Sequence, residues 1–439
     1  MTRTSTLALC TAVLLIAVTP AHPQDFGRNK VQYDSFDFAV LSSPGFRVHY
    51  YPAIEAAAVD ATRLLERWND RLSELFDHTL SSRVPVVLYA GGTDFAQTNI
   101  LPGLIPAGVG GVTESRQGRI IMPLSGVYGE LDHVLGHELV HAYHFDLLGR
   151  VGDSGSIPLW LVEGMAEYAT LGRVHAQTTM WLREQAIADE LPTIRQISRN
   201  PTYSPYRYGH AIWAYIGHRY GDRVAFDFYK EVLRSGFGYA ASDVLGTTID
   251  ELSDDWHEFA AEHVLVDLPD SASPDTDAVD LDSDIVVSPV LSPDGRYAAV
   301  FSREDVFNLD LYLVDIESGD TVRRLARNQT SPHFDALRFI DSAGAFSPDG
   351  EAFAFVAERE GDNAVVIVDV ETGRVQRTIA PQQIEAISSL AWSPDGDALA
   401  LSATAGGITD LYRYSLDDGA VDRFTNDRYA ELHPAYSPD

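Results

Sequence analysis

His137-Glu138-Leu139-Val140-His141 sits inside a helically spaced stretch from Leu131 to Leu148. Glu163 follows 22 residues after His141, within Trp160-Leu161-Val162-Glu163-Gly164-Met165-Ala166-Glu167-Tyr168. On a helix, residues four apart lie about 40° apart around the axis and one turn along it. Two imidazoles at that spacing face one side and can share a metal ion. Glu138, beside the first imidazole, can reach a water held on that ion. A tetrahedral catalytic zinc takes three protein ligands and leaves one position open for water. The second stretch offers an acidic third ligand on a helix that Pro158 can open. His133 and His144 lie on or near the first helix, but the ligand count is met without them. Glu167, four residues after Glu163, shares its helical face and can accept a hydrogen bond from a ligand imidazole.

In this order and at this separation, the two stretches resemble the gluzincin metallopeptidases, whose two-His helix is followed by a Glu in a Trp-Leu-x-Glu-Gly-x-Ala setting. The resemblance covers roughly residues 46–225. It implies an α+β, thermolysin-like metallopeptidase domain holding one catalytic zinc ion. By the same resemblance His137, His141 and Glu163 are the ligands, and Glu138 is the general base. The segment Gly110 to Met122 resembles the upper edge strand on which this family binds substrate as an added β-strand. Tyr206-Arg207-Tyr208-Gly209-His210 falls where the family presents a Tyr or His to the tetrahedral intermediate, so Tyr208 and His210 are the oxyanion candidates. Zinc aminopeptidases of the superfamily carry Gly-x-Met-Glu-Asn upstream. Gly110-Gly111-Val112-Thr113-Glu114 does not match it, which favours an endopeptidase.

Around this region the chain reads as mixed α and β. Phe46–Tyr51 and Val84–Tyr89 alternate like strands, as do Gly110–Thr113 and Arg119–Met122, and Ala56–Phe76 has helical spacing. From Tyr128 to about Val264 the pattern is largely helical. The acidic stretch 268–284 reads as a linker; it has neither the glycine nor the terminal Glu of an EF-hand calcium loop. The last third repeats. Ser292-Pro293-Asp294-Gly295 recurs at Ser347–Gly350 and Ser393–Gly396 and begins again at Ser437, with spacings of 55, 46 and 44 residues. Each complete turn is followed by strands and a second turn: Asp315–Gly319, Asp369–Gly373 and Ser415–Gly419. A period in the forties with several strands per unit indicates propeller blades, and these units resemble TolB-like, WD40-like repeats. Three units are complete where closure needs at least four, so residues 285–439 are expected to be part of a propeller that is incomplete in this chain, a fragment of a longer protein.

The chain has 439 residues, enough for two or three domains, and its 45% hydrophobic and 22% charged content describes a globular protein. A net charge of −32 repels phosphate backbones and anionic lipid, which argues against nucleic acid as a partner. Nearly all the basic residues are Arg, with Lys only at positions 30 and 230. Arg3, the apolar run Leu7–Val18 and Thr19-Pro20-Ala21 read as a signal peptide within residues 1–24, predicting secretion or a periplasmic location. Cys10 lies in that run, leaving the mature chain of residues 25 onward without thiols or disulfides. No other stretch is apolar enough to anchor the chain in a membrane. The peptidase unit is expected to span 25–267. Gly152-Asp153-Ser154-Gly155 resembles a serine-nucleophile sequence but reads as a Gly-rich loop, and Asn328-Gln329-Thr330 is a formal glycosylation sequon.

The leading expectation is an active zinc peptidase acting on peptides or proteins, with the propeller recruiting a protein partner or screening substrates. One rival is an inactive peptidase-like domain in a propeller-based binding protein. Another is a serine hydrolase following the propeller.

Overall fold

A computed structural model describes residues 30–100, 105, 109–149, 157–264, 286–302, 309–327, 336–337 and 344–437. The signal segment with Cys10, the linker 268–284, Gly152–Gly155 and Asn328–Thr330 lie outside the described residues.

The alternating segments of the first half form one mixed sheet. Its elements are β1 (Ala39–Ser42), β2 (Phe46–Tyr50), α1 (Glu55–Phe76), β3 (Val84–Tyr89), α2 (Gly92–Ala96), β4 (Val112–Glu114) and β5 (Arg119–Pro123). The strand order is β1-β2-β3-β5-β4. The inner pairs β2–β3 and β3–β5 are parallel, and both edge strands run antiparallel to their neighbours. β1 has no clear counterpart in the sequence pattern, being mostly exposed at the sheet edge. α1 lays Ala58, Leu65, Trp68, Leu72 and Phe76 into the core, and Asp77 ends it in the left-handed conformation, at φ 46°.

Among the described residues, eight more α-helices complete this half: α3 (Tyr128–Leu147), α4 (Leu159–Leu171), α5 (Ala176–Ile187), α6 (Ile194–Arg199), α7 (Pro205–Tyr220), α8 (Asp222–Ser235), α9 (Phe237–Ala240) and α10 (Ile249–Val264). None of the described helices is long and apolar enough to cross a membrane. The closest helix contact is between α4 and α7. A Cβ on Gly164 would land inside the Gly209 backbone, and one on Gly209 would stand 2.8 Å from Gly164 Cα. Two glycines therefore let the helix backbones touch. Gly136 does the same for α3: a Cβ there would stand 2.7 Å from the Trp68 ring of α1 and 2.9 Å from Thr170 Cγ2 of α4.

The second half is built of antiparallel sheets. The first runs β6 (Val286–Leu291), β7 (Tyr297–Ser302), β8 (Asp310–Asp315) and β9 (Thr321–Ala326). The second has β10 (Ala336–Leu337), β11 (Ala345–Phe346), β12 (Ala352–Arg359), β13 (Asp362–Asp369) and β14 (Val375–Ile379), with β10 and β11 both pairing with β12. The third is β15 (Ala386–Trp392), β16 (Ala398–Ala405), β17 (Ile408–Ser415) and β18 (Val421–Arg423). Both faces of the middle sheet are apolar. Phe353, Phe355, Val366 and Val368 pack toward the first sheet, while Ala354, Val356, Val365 and Ile367 pack toward the third. Period-two alternation between two apolar faces is what stacked blades require.

The repeated turns share one hydrogen-bond plan. In Ser347–Gly350 the Ser347 Oγ donates to Asp349 Oδ1 at 2.5 Å and accepts from the Ala352 N–H at 2.9 Å, while Gly350 takes φ 75°. Ser292 and Ser393 repeat this with Asp294 and Asp395. The recurring Ser, Asp and Gly are thus the residues that close the turn.

Where the halves meet, backbone approaches backbone. The Thr409 N–H donates to Gly126 O at 3.1 Å, and Gly407 leaves no room for a side chain against Ala57 and Leu124. Acids crowd the same junction. Burial pushes the Asp94 carboxyl up to about 6, with Asp34 and Asp362 adding to the rise, although the Tyr51 hydroxyl donates to it. Burial also raises Glu385. A carboxyl whose pKa is higher folded than unfolded lends stability that is complete below about pH 4 and is lost as the pH rises through about 6. Asn at position 94 stays neutral and still offers Tyr51 an oxygen. Asp94→Asn is therefore expected to stabilise the protein relative to wild type at pH 7.5 by about 1–3 kcal/mol more than at pH 4.5, measured by urea unfolding. A stability difference that does not change with pH would contradict this account.

Candidate metal centre

α3 is buried on most of its circumference, and its middle turn carries His137, Glu138 and His141 inside. The i, i+4 spacing brings the two imidazoles together, with His141 Nε2 3.1 Å from His137 Nε2. α4 returns beside α3 and brings Glu163 Oε2 to 3.2 Å from His137 Nε2 and 3.3 Å from His141 Nε2. These atoms form a buried His/His/Glu group that could hold a metal ion. Ligands about 2.0–2.1 Å from a tetrahedral zinc lie about 3.3 Å from one another, so the donor types and spacings fit that ion.

Electrostatics tie the group together. Burial alone would raise the Glu163 carboxyl, but hydrogen bonds and charge from His137 and His141 outweigh it and hold the carboxyl down at about 2. Burial disfavours charge on His137, yet Glu163 and Glu167 push its pKa up to about 10. A cation at this point is what the surrounding carboxylates favour, whether a proton or a metal.

Glu167 lies behind His137. Its Oε1 is 3.0 Å from His137 Nδ1 and 3.2 Å from His133 Nε2, and its Oε2 accepts from Arg207 Nη1 at 3.0 Å. Despite burial, the bonds from His133 and His137 hold this carboxyl far below the usual range. A proton on His137 Nδ1 then leaves the Nε2 lone pair facing Glu163 and His141. His133, Glu167 and His137 form a second group whose donor atoms lie close enough to hold a metal, although the sequence reading had set His133 aside. His144 points elsewhere: its Nδ1 meets the Tyr229 hydroxyl at 2.6 Å, and burial lowers its pKa to about 4.

The carboxylate of Glu138 turns toward β4. Thr113 Oγ1 donates to Glu138 Oε2 at 2.6 Å. A Cβ on Gly111 would stand 3.0 Å from Glu138 Oε1, so glycine keeps the space at that oxygen open. Among the described residues β4 pairs on one side only, with β5.

α7 places its residues differently from the sequence reading. Tyr208 is buried and packs edge-on against Tyr203. His210 Nε2 bonds to Gly172 O at 2.9 Å, at the far end of α4 from Glu163. His210 is thereby held at the far end of α4 from the donors, and the Tyr208 ring faces Tyr203. Tyr206 stacks its ring on His137 at 5.9 Å, and burial together with Glu163, Glu138 and Glu167 raises its hydroxyl above the ordinary range, so that it keeps its proton. Thr113, Tyr206 and Arg207 were all in quoted segments, but no spacing rule distinguished them.

Comparison with known proteins places the repeats first. The TolB beta propeller domain family matches residues 333–439. The "Uncharacterized peptidase YuxL" of Bacillus subtilis (strain 168) is 28% identical over 130 residues, covering 28% of this chain and 18% of that protein. The "Uncharacterized protein Atu1656" of Agrobacterium fabrum is 24% identical over 148 residues, covering 34% of this chain and 46% of that protein. Among solved structures, TolB from Acinetobacter baumannii is 28% identical over 33% of each chain, with a TM-score of 0.27. The chain thus spans less than half the length of each of these relatives. It has TolB-type repeats in its C-terminal part, a distant match to a peptidase, and buried His/Glu groups able to hold a metal.

Glu167→Gln removes the charge that orients His137 and pairs with Arg207. It is expected to weaken zinc binding by about 10–100-fold, measured by competition with a chromophoric chelator. Unchanged affinity would show that Glu167 is only a packing residue.

Proposed function

We propose that the chain is a secreted or periplasmic zinc-dependent peptidase, with endopeptidase action favoured. The observation that carries this reading is the trio His137, His141 and Glu163, with donor atoms 3.1–3.3 Å apart and Glu138 beside them. In this reading residues 1–24 are a signal peptide, 25–267 the thermolysin-like peptidase unit, 268–284 a linker and 285–439 propeller repeats that engage a protein partner or substrate.

His137, His141 and Glu163 would hold the zinc ion, which when bound would lower the pKa of a water toward about 7 and polarise the scissile carbonyl. Thr113 anchors Glu138 by Oε2, so Oε1 is the oxygen that takes the attacking water's proton. As the C–O bond forms and the C–N bond breaks, Glu138 delivers that proton to the leaving amine. Tyr206 replaces Tyr208 and His210 as the oxyanion donor, because its protonated hydroxyl lies among the carboxylates of the site. Glu167 and Arg207 hold the His137 ring in place. The side of β4 that is unpaired among the described residues supports docking of an extended peptide as an added strand, which would run past Glu138.

Casein hydrolysis tests the assignment. Glu138→Gln should keep its zinc and lose about 10²–10⁴-fold in rate. Tyr206→Phe should lower kcat by about 10²–10³-fold with little change in KM, while Tyr208→Phe leaves kcat at the wild-type level. A wild-type rate in Glu138→Gln rejects the mechanism.

A further inference from the structure

A cavity of about 210 Å³ lies between α5, α7 and α10, and the reaction above does not use it. Its walls are mostly apolar, from Leu182, Ala211, Ala214, Trp256, Phe259 and Ala260. Polar side chains line it too: Arg173, Thr179, His218 and His263, together with His175, Thr178 and His210, on which the site turns. Thr178 and His210 are 4% and 1% exposed. Among the described residues His175 Nδ1, Thr178 Oγ1 and His210 Nδ1 have no hydrogen-bond partner. Buried polar atoms are rarely left so, because each unmet bond costs about 1–3 kcal/mol. Three of them lining one cavity describe a site waiting for a matching group.

The tautomer of His210 defines that group. Gly172 O can only accept, so His210 Nε2 carries a proton. Burial keeps the ring from taking a second one. His210 Nδ1 is therefore a bare acceptor and needs a donor. Thr178 Oγ1 can donate as well as accept. A hydroxyl meets both needs, giving its proton to His210 Nδ1 and accepting from Thr178. The mostly apolar walls suit a ring, and the volume suffices: an engineered apolar cavity of about 150 Å³ takes benzene.

We propose that this cavity is a binding site for a small phenolic molecule, its hydroxyl bonded to His210 and Thr178 and its ring between Trp256, Phe259 and the alanines of α7 and α10. The site is independent of the peptidase reading. It lies close enough for the charges of Glu167 and Arg207 to reach His175 and His210.

Calorimetry with p-cresol and p-xylene tests it, since the two differ only in a hydroxyl exchanged for a methyl. p-Cresol should bind the full chain with a Kd of about 0.1–1 mM, as expected of a fragment-sized ligand. p-Xylene should bind at least about tenfold more weakly, because it leaves the buried polar atoms unmet. Thr178→Val keeps the shape without the hydroxyl and should shrink that ratio several-fold. Ala260→Leu fills the cavity and should abolish p-cresol binding with Tm at or above wild type, which certifies the fold. Equal binding of the two compounds, undiminished p-cresol binding by Ala260→Leu, or no binding at all would each overturn the proposal. None of these readouts involves peptide hydrolysis, so the two proposals fail separately.

Discussion

The Glu167 carboxylate, taking His137 and His133 on one oxygen and Arg207 on the other, is the contact on which the helical half depends. It joins three helices, since α3 supplies both imidazoles, α4 the carboxylate and α7 the guanidinium. Separating any partner would strand a buried charge, which typically costs about 3–5 kcal/mol. The steric arrangement enforces the same approach. Gly164 and Gly209 let α4 and α7 touch, and Gly136 lets α3 settle between α1 and α4. A larger residue at any of these glycines would push the charged groups apart. In a chain of net charge −32, Arg207 is placed against the buried Glu167 carboxylate.

That arrangement explains which parts of the site could be read from sequence. His137 and His141 need only helical geometry to meet, and Glu163 needs only a returning helix, so linear spacing reveals all three. The oxyanion candidate needs more, namely which face of α7 meets α4. Gly209 marks that face, and Trp213 confirms it by donating to Leu161 O at 3.1 Å. Tyr206 stands three residues before Gly209 and seven, close to two full turns, before Trp213, on the same side. Tyr208 and His210, one residue to either side of Gly209, are rotated away by about 100° each. The glycine was visible in the sequence, but its partner on α4 was not identifiable without the packing. Thr113 was hidden for a related reason: a strand fixes alternate faces, but not which residue lies over α3.

The repeats were legible because their turns are closed by local bonds. Ser, Asp and Gly at fixed offsets satisfy the turn within a few residues, whatever the rest of the sheet does. Strands β12, β16 and their partners needed only alternation between two apolar faces. β1 and β10 are short and lie toward sheet edges, where neither a local bond nor a buried face imposes a pattern on the sequence.

The meander also determines which end of each sheet is available for contact. In the second and third sheets, the Ser-Pro-Asp-Gly turn and the acidic turn both fall at one end, before the second strand and after the third. The hairpin between those two strands falls at the other end. It is this hairpin that meets the helical half: Gly361 between β12 and β13 lies against Gln97 and Tyr33, and Gly406 and Gly407 between β16 and β17 lie against Ala53, Ala57 and Leu124. Glycine recurs there because the backbones approach too closely for a side chain and because φ is positive at all three positions, between 65° and 88°. The repeated turns are thereby kept clear of the junction. Their sequence answers to turn geometry alone, whereas the hairpin tips answer to the surface they meet, which is why the turns repeat and the tips do not.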